Sequence, residues 1–109
     1  MALTYSEMIP LGSKAPEFSL KGTEDGLTEK TFNLATVSAG AKAFLVVFMC
    51  NHCPYVKAIN GRLAALCDEF AGSAFKMVGI NSNDAARYPE DSFDKMKAQH
   101  REFGFKFPY

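Results

Sequence analysis

An α/β domain built on parallel strands is the fold class that this sequence predicts, and three observations support it. Residues 43–49 form a continuous apolar run rich in Val and Phe, typical of a strand buried on both faces. From Cys53 to Phe70 the apolar residues recur at three- and four-residue steps, as in an amphipathic helix. Residues 75–80 are predicted to form the next strand, and a second helical pattern at 90–103 completes the repeat of this order. Strand, helix, strand and helix in succession predict right-handed crossovers, and therefore parallel strands.

Shorter patterns before this unit predict a small hairpin. Proline and glycine residues indicate an irregular chain up to residue 16. Phe18 and Leu20 then alternate with polar residues, as in a short strand. A turn-rich stretch at 21–26 follows, and residues 27–34 are predicted to form the second strand of the hairpin.

Each predicted helix has an apolar stripe and recognisable ends. Pro54 suits the first turn of the first helix, and Gly72 and Gly104 mark the ends of the two helices. The first stripe is Val56, Ile59, Leu63, Leu66 and Phe70, and Lys57, Asn60, Arg62, Asp68 and Glu69 are predicted to face elsewhere. The second stripe is Phe93, Met96, His100 and Phe103. We interpret His100, Cys67 and the aromatic residues, including Phe105 and Phe107, as structural.

Length and charge limit the possible functions. The 109 residues suffice for one domain, residues 1–109, with a modest core. Twelve basic residues balance twelve acidic ones, so no net field favours nucleic acid or an anionic membrane as a partner. The first ten residues lack the pattern of a secretory signal, and the longest near-apolar run, 39–50, contains Lys42. Three cysteines argue against a secreted disulfide framework, so we predict a cytoplasmic location.

The candidate site is the pair Cys50 and Cys53, placed where the first parallel strand meets its helix. Unpaired N–H groups and the helix dipole at this position favour a negative charge, which predicts a lowered pKa and high reactivity for Cys50. Two intervening residues allow the sulfurs to approach disulfide distance. Because parallel strands end at the same edge, the loop at 81–84, with Asn81 and Asn83 as possible substrate contacts, is expected to border the cysteines.

The chain resembles the redoxin branch of the thioredoxin-like superfamily, related to the alkyl hydroperoxide reductase and thiol-specific antioxidant proteins. The similarity is carried by G-S-K-A-P-E-F-S-L at 12–20, by C-N-H-C-P at 50–54 and by G-I-N-S-N-D at 79–84. It implies an antioxidant thiol–disulfide oxidoreductase without an organic cofactor, acting on a protein or small-molecule disulfide or thiol. In that resemblance Cys50 attacks, Cys53 resolves, and His52 is a candidate for tuning the redox potential.

The sequence also departs from this family. The Pro and Thr of the peroxidase motif would fall on Ala43 and Val47, so the peroxidase constellation is absent. The family fold continues with a cis-proline loop, two further strands and a helix, which the resemblance implies would follow residue 109. We therefore expect either a fragment of a longer domain or a chain that self-associates through its incomplete sheet.

Two alternative functions remain open at the level of sequence. Cys50, His52 and Cys53 are ligands that suit zinc or copper, as in a metal-binding chaperone, although no second cluster offers a fourth ligand. We accordingly predict no structural metal. The other alternative is a catalytically silent interaction module in which both cysteines only fill space.

Overall fold

The computed structural model describes residues 7–109, whose elements are as follows. The strands are β1 (Ser19–Gly22), β2 (Lys30–Asn33), β3 (Ala43–Phe48) and β4 (Phe75–Ile80). The helices are α1 (Leu34–Ser38), α2 (Pro54–Glu69) and α3 (Phe93–Phe103), the last preceded by one 3₁₀ turn at Pro89–Asp91. The predicted α/β class is confirmed. The short helix α1 was not predicted; Asn33 caps it by accepting the N–H of Thr36 at 2.8 Å.

Two two-stranded sheets form within the described residues. β1 and β2 pair antiparallel, from Ser19 opposite Asn33 to Gly22 opposite Lys30, which confirms the predicted hairpin. β3 and β4 pair parallel, from Ala43 opposite Phe75 to Phe48 opposite Ile80. The parallel pair places the chain that follows β3 and the chain that follows β4 at the same edge. This geometry brings the cysteine segment and the loop after β4 together.

The C-terminal segment, residues 105–109, connects the two sheets. Tyr109 and Thr23 exchange two backbone hydrogen bonds of 2.9 Å, and the N–H of Gly79 donates to the carbonyl of Pro108 at 2.9 Å. Gly104 turns the chain out of α3 in the left-handed conformation, with φ of 62°. The segment therefore lies between β4 and the hairpin, and its aromatic side chains enter the core.

The core lies between the parallel strands, α2, α3 and the C-terminal segment. Its buried members are Met49, Ala64, Met77, Phe105, Phe107 and Tyr109. Rings of Phe105 and Phe107 stack with their centroids 4.6 Å apart. His100 is buried, and its Nε2 lies 3.0 Å from the carbonyl oxygen of Phe107, which confirms the structural interpretation of this histidine.

The predicted stripe of α2 is partly wrong. Ile59 and Phe70 are exposed, whereas Asn60, expected to face elsewhere, is fully buried. Among the described residues, no hydrogen-bond partner contacts the amide of Asn60. The face that packs on the core is rotated toward Val56, Leu63, Ala64 and Cys67. Periodicity finds an amphipathic helix, but packing against β4 and the C-terminal segment selects which face is buried.

Replacing Gly79 with Ala is expected to lower the free energy of unfolding by about 1–3 kcal/mol, because overpacking forces neighbours to shift. An added Cβ would lie 2.8 Å from the sulfur of Met49 and 3.0 Å from the ring of Tyr109. Urea denaturation measures the change. The matched control is Gly61→Ala in α2, where no atom of residues 7–109 outside the helix's own backbone lies within 4 Å of the added Cβ. That control should gain about 0.5–1 kcal/mol from helix propensity, and equal effects of the two variants would contradict the packing at Gly79.

Candidate functional site

The two cysteines of the candidate site differ in position and environment. Cys50 follows the last residue of β3 by two positions and is buried, with 9% of its surface exposed. Cys53 is partly exposed and is the N-cap of α2, with Pro54 in the first turn, as Pro54 was predicted to be. Both cysteines are free thiols, as is Cys67, and the sulfurs of Cys50 and Cys53 are not at the disulfide distance that their spacing predicted. These positions follow from the local sequence. The apolar strand β3 leads directly to Cys50, and Pro54 starts the helix immediately after Cys53.

The prediction of a lowered pKa for Cys50 is wrong. Burial raises the pKa of the Cys50 thiol, and the nearby negative charge of Asp91 raises it further. The lowered pKa belongs instead to Cys53, because the backbone N–H groups of Val56, first, and Tyr55 stabilise its thiolate. The Cys50 side chain contributes in the same direction. The backbone N–H groups of Cys53 and His52 do favour a thiolate at Cys50, but burial outweighs them.

A buried carboxylate organises the site. The Asp91 side chain is fully inaccessible, and its Oδ1 accepts the backbone N–H of Asn51 at 2.7 Å. Amide groups of Asn81 and Asn83 donate to it at 3.3 and 2.8 Å. Burial alone would raise the pKa of Asp91, but the hydrogen bonds from Asn83, Asn51 and Asn81 outweigh burial and the pKa lies below its ordinary value. Asp91 is therefore an ionised carboxylate beneath the cysteine loop.

His52 contacts the carboxylate of Asp91. Its Nδ1 lies 2.6 Å from Oδ2 of Asp91, and its ring stacks on Tyr88 with centroids 5.6 Å apart and planes 11° apart. The Nδ1 atom is buried in this contact. These contacts hold the imidazole close to Cys50, since the ligand atoms of Cys50, His52 and Asp91 all lie within 4.8 Å of one another. The structure brings His52 together with Asp91, a partner that the sequence did not suggest.

Asn51, between the cysteines, is held from three sides. In addition to its N–H bond to Asp91, its side-chain amide donates to the carbonyl of Glu90 at 2.9 Å and its Oδ1 accepts the hydroxyl of Tyr109 at 2.7 Å. Gln99 in α3 donates to the carbonyl of Cys50 at 3.4 Å. Burial raises the pKa of the Tyr109 phenol well above its ordinary value, so this hydroxyl remains a donor. The loop conformation is therefore fixed by α3, the 3₁₀ turn and the C-terminal segment.

Sequence reasoning placed the loop after β4 at the cysteines, and the structure confirms that placement. A cleft of about 140 Å³ is lined by Phe48, Met49, Cys50, Val56, Ser82 and Asn83. Asn81 and Asn83, predicted as possible substrate contacts, instead direct their amides at Asp91. Asp91, Gln99 and Tyr109 were missed. In the sequence, Asp91 is simply an acidic residue just before a helix. That position predicts helix capping and gives no indication of a contact with Asn51, forty positions away.

Three side chains at this site could act as ligands to a metal ion. Cys50, His52 and Asp91 offer one ligand atom each, all within 4.8 Å of one another. The carboxylate of Asp91, however, already receives the N–H of Asn51, two amides and the His52 contact. A cation would therefore compete with these donors for the carboxylate.

A parallel strand pair, a helix and two thiols at their junction are features of a thioredoxin-like fold. A family model described as the AhpC/TSA family matches residues 11–109, and the chain belongs to that family. No curated protein matches the chain. Solved structures do match, and two of them each have a TM-score of 0.84 over 94% of this chain. One is an uncharacterized conserved protein from Geobacillus kaustophilus, 39% identical, and the other is a hypothetical protein from Sinorhizobium meliloti 1021, 36% identical.

The chain spans about half the length of these two structures, 52% and 54% respectively. The predicted redoxin resemblance and the thioredoxin-like fold are thereby confirmed. No helix in residues 7–109 has the length and apolar character needed to cross a membrane.

Proposed function

We propose that the protein is a cytoplasmic thiol–disulfide oxidoreductase that cycles Cys50 and Cys53 between dithiol and disulfide. The observation that carries the proposal is the site itself, in which two free thiols precede α2 and one of them is its N-cap residue. The thiolate is the form that attacks disulfides, and the N–H groups of α2 favour a thiolate at Cys53. Membership of the AhpC/TSA family, which comprises thiol-dependent oxidoreductases, supports the same class of reaction. The substrate class is a protein or small-molecule disulfide.

The first test is oxidation of the reduced natural protein with oxidised glutathione. We expect loss of two hydrogens from the intact mass and a Cys50–Cys53 linkage in the peptide map. The protein should also catalyse reduction of insulin disulfides by a chemical reductant. Cys50→Ser and Cys53→Ser should each reduce this catalysed rate to the uncatalysed background, whereas Cys67→Ser, which changes a core-packing residue, should retain it. Absence of the linkage and of catalysis in the wild type would favour a silent interaction module.

His52 and the asparagines of the loop have supporting roles in this proposal. His52 contacts the carboxylate next to both sulfurs, so exchanging it should change the redox potential of the pair. Asn81 and Asn83 lie at the rim of the site, and we propose that they limit how a substrate approaches. Equilibration of His52→Gln with glutathione mixtures measures the potential. An unchanged redox potential would show that His52 has only a packing role.

Metal binding is the competing function, favoured by the three closely spaced ligand atoms of Cys50, His52 and Asp91. The donors already bound to Asp91 oppose it. We expect protein purified under reducing conditions to contain less than one equivalent of zinc or copper by elemental analysis. One tightly held equivalent that is lost in Cys50→Ser would favour a metal-binding protein over an oxidoreductase.

Self-association is the interaction proposed for the 109-residue chain. Among residues 7–109, β3 pairs only with β4, so its other edge carries backbone groups that no described strand satisfies. Such an edge templates pairing with another chain. Light scattering of this chain should give a mass above 12.0 kDa, and a monomer would contradict the proposal.

A further inference from the structure

We propose that a charged cavity beside the cysteine loop is a subsite for the zwitterionic end of an amino-acid disulfide such as cystine. The proposal rests on the oxidoreductase function proposed above and narrows its substrate class. It selects small disulfides that carry an ammonium and a carboxylate near sulfur. The position of the cavity, its balanced charges and an amide oxygen on its floor support this assignment.

The charged cavity lies against the backbone of the cysteine loop. It has a volume of about 330 Å³, and its lining includes Asn51, Lys57, Glu90, Lys95, Gln99 and Glu102. Asn51 lies between the two cysteines in sequence, and Gln99 donates to the carbonyl of Cys50 at 3.4 Å. Lys57 lies one helical turn after Cys53, because its N–H donates to the carbonyl of Cys53 at 2.9 Å. A molecule held in the cavity is therefore next to the loop that carries both thiols.

Opposite charges are balanced around the rim of the charged cavity. Lys57 and Lys95 supply two ammonium groups, and both residues are exposed. Glu90 and Glu102, also exposed, supply two carboxylates. Within residues 7–109, none of these four groups belongs to an ion pair. A rim of this kind is complementary to a ligand that carries both signs of charge, as the end of an amino acid does.

The floor of the charged cavity holds an amide oxygen without a partner. Gln99 is 6% exposed, and its Nε2 is directed at the carbonyl of Cys50. In the described part of the chain, its Oε1 accepts no hydrogen bond, and this atom is not sealed from the surface. A largely buried acceptor without a donor costs free energy, so it favours a ligand that brings one. An ammonium brings three N–H donors.

Cystine combines the groups that the charged cavity would bind. In the proposed complex its ammonium contacts Oε1 of Gln99 and a rim carboxylate, and its carboxylate contacts Lys57. Both groups are attached to the second carbon from sulfur. Binding of one end of cystine therefore keeps the S–S bond close to the cysteine loop, which lowers the entropic cost of the exchange.

The reaction that follows is thiol–disulfide exchange, and it needs no further reactant. The S–S bond of cystine breaks, the bond between Cys50 and Cys53 forms, and the two thiol protons end on the two cysteine molecules that leave. The protein pair is oxidised by two electrons, and cystine is reduced by the same two electrons.

The test compares disulfides that differ in charge, with the reduced natural protein at pH 7. The probes are cystine, cystamine with ammonium groups alone, dithiodiglycolate with carboxylates alone, and neutral 2-hydroxyethyl disulfide. Each rate of protein oxidation is divided by the rate at which the same disulfide reacts with free dithiothreitol, which removes differences in intrinsic reactivity. We expect this rate ratio to be about tenfold higher for cystine than for the other three disulfides.

Oxidised glutathione is a second source of the same chemistry. It carries its zwitterion at the γ-glutamyl end, further from sulfur than in cystine. A rate ratio above that of cystine would assign the charged cavity to this γ-glutamyl end. A rate ratio at or below that of cystine would assign it to cystine itself.

Substitutions at the rim test the charges directly. Lys57→Gln and Glu102→Gln each remove one charge. Each should lower the rate with cystine, relative to the rate with 2-hydroxyethyl disulfide, by about threefold to tenfold, because these contacts are partly screened by solvent. The matched controls are Lys42→Gln and Glu69→Gln, which are exposed and lie outside the charged cavity. The controls should leave this relative rate unchanged.

Binding of an unreactive analogue separates the subsite from the chemistry. L-Cystathionine has a thioether that thiols do not reduce, and it should shift the NMR amide signals of Asn51, Lys57 and Gln99 in the natural protein. An absence of these shifts, or equal rate ratios for all the disulfides, overturns the subsite and leaves the oxidoreductase function intact. If none of the disulfides oxidises the pair of Cys50 and Cys53, both proposals are overturned.

Discussion

Replacing Asp91 with Ala is expected to lower the free energy of unfolding by about 3–5 kcal/mol, the usual cost of removing one partner from a buried charged network. The substitution leaves the N–H of Asn51 buried without its acceptor, and it removes the partner of the Asn83 amide and the contact that holds His52. Each unsatisfied buried donor costs about 1–3 kcal/mol. Urea denaturation at pH 7 measures the change.

The Asp91 carboxylate also predicts how the free energy of unfolding depends on pH. The pKa of Asp91 is lower in the folded protein than its unfolded value of about 3.9. The stabilisation is therefore fully present well above pH 4 and is lost as the pH falls through the folded pKa, with a slope of at most about 1.4 kcal/mol per pH unit. Asp91→Asn keeps an acceptor oxygen but cannot titrate, so its stability should fall less steeply between pH 5 and 3 than that of the wild type.

Asp94 provides the matched control for both experiments. It lies three residues away, its side chain is 90% exposed, and it forms an ion pair with Lys97 within α3 at 3.2 Å. Exposed pairs of this kind contribute about 0–1 kcal/mol, so Asp94→Ala should change stability little. If Asp91→Ala costs no more than Asp94→Ala, Asp91 does not organise the loop in the way that the hydrogen bonds indicate.

Replacing Phe107 with Ala is expected to cost about 3–5 kcal/mol, the range for emptying a large aromatic site in a core. Phe107 is 1% exposed, stacks on Phe105 and lies next to Gly79. It also belongs to the segment that joins β4 to the hairpin through Pro108 and Tyr109. Thermal and urea unfolding measure the loss.

The control for Phe107 is Phe48→Ala at the rim of the cysteine site. Because Phe48 is largely exposed, its truncation should change stability by less than about 0.5–1 kcal/mol. The internal disulfide of Cys50 and Cys53 should also form more slowly in Phe107→Ala, because the hydroxyl of Tyr109, which the segment positions, helps to fix Asn51 between the cysteines. Comparable losses in the two variants would show that the C-terminal segment is not part of the core.

The elements of the fold could be predicted because they depend on local patterns. The apolar run at 43–49 became β3 and residues 75–80 became β4. The expected burial of β3 on both faces is wrong, because its interior residues are only partly buried and Phe48 is 69% exposed. Pro54 and Gly104 marked a helix start and a helix end through constraints that act within one or two residues. The buried face of α2 was predicted less accurately. Whether Ile59 or Asn60 is buried depends on the elements that pack against the helix, and the structure exposes Ile59 and buries Asn60.

For the site, the sequence by itself determined that two thiols stand where β3 meets α2 and that the loop after β4 lies beside them. Only the tertiary structure decided which thiol is buried and which is stabilised as a thiolate. Asp91 approaches Asn51 across forty positions of sequence, and Tyr109 approaches it across fifty-eight. A thiol's pKa depends on burial and on charges within a few ångströms in space, and spacing along the chain fixes neither of these.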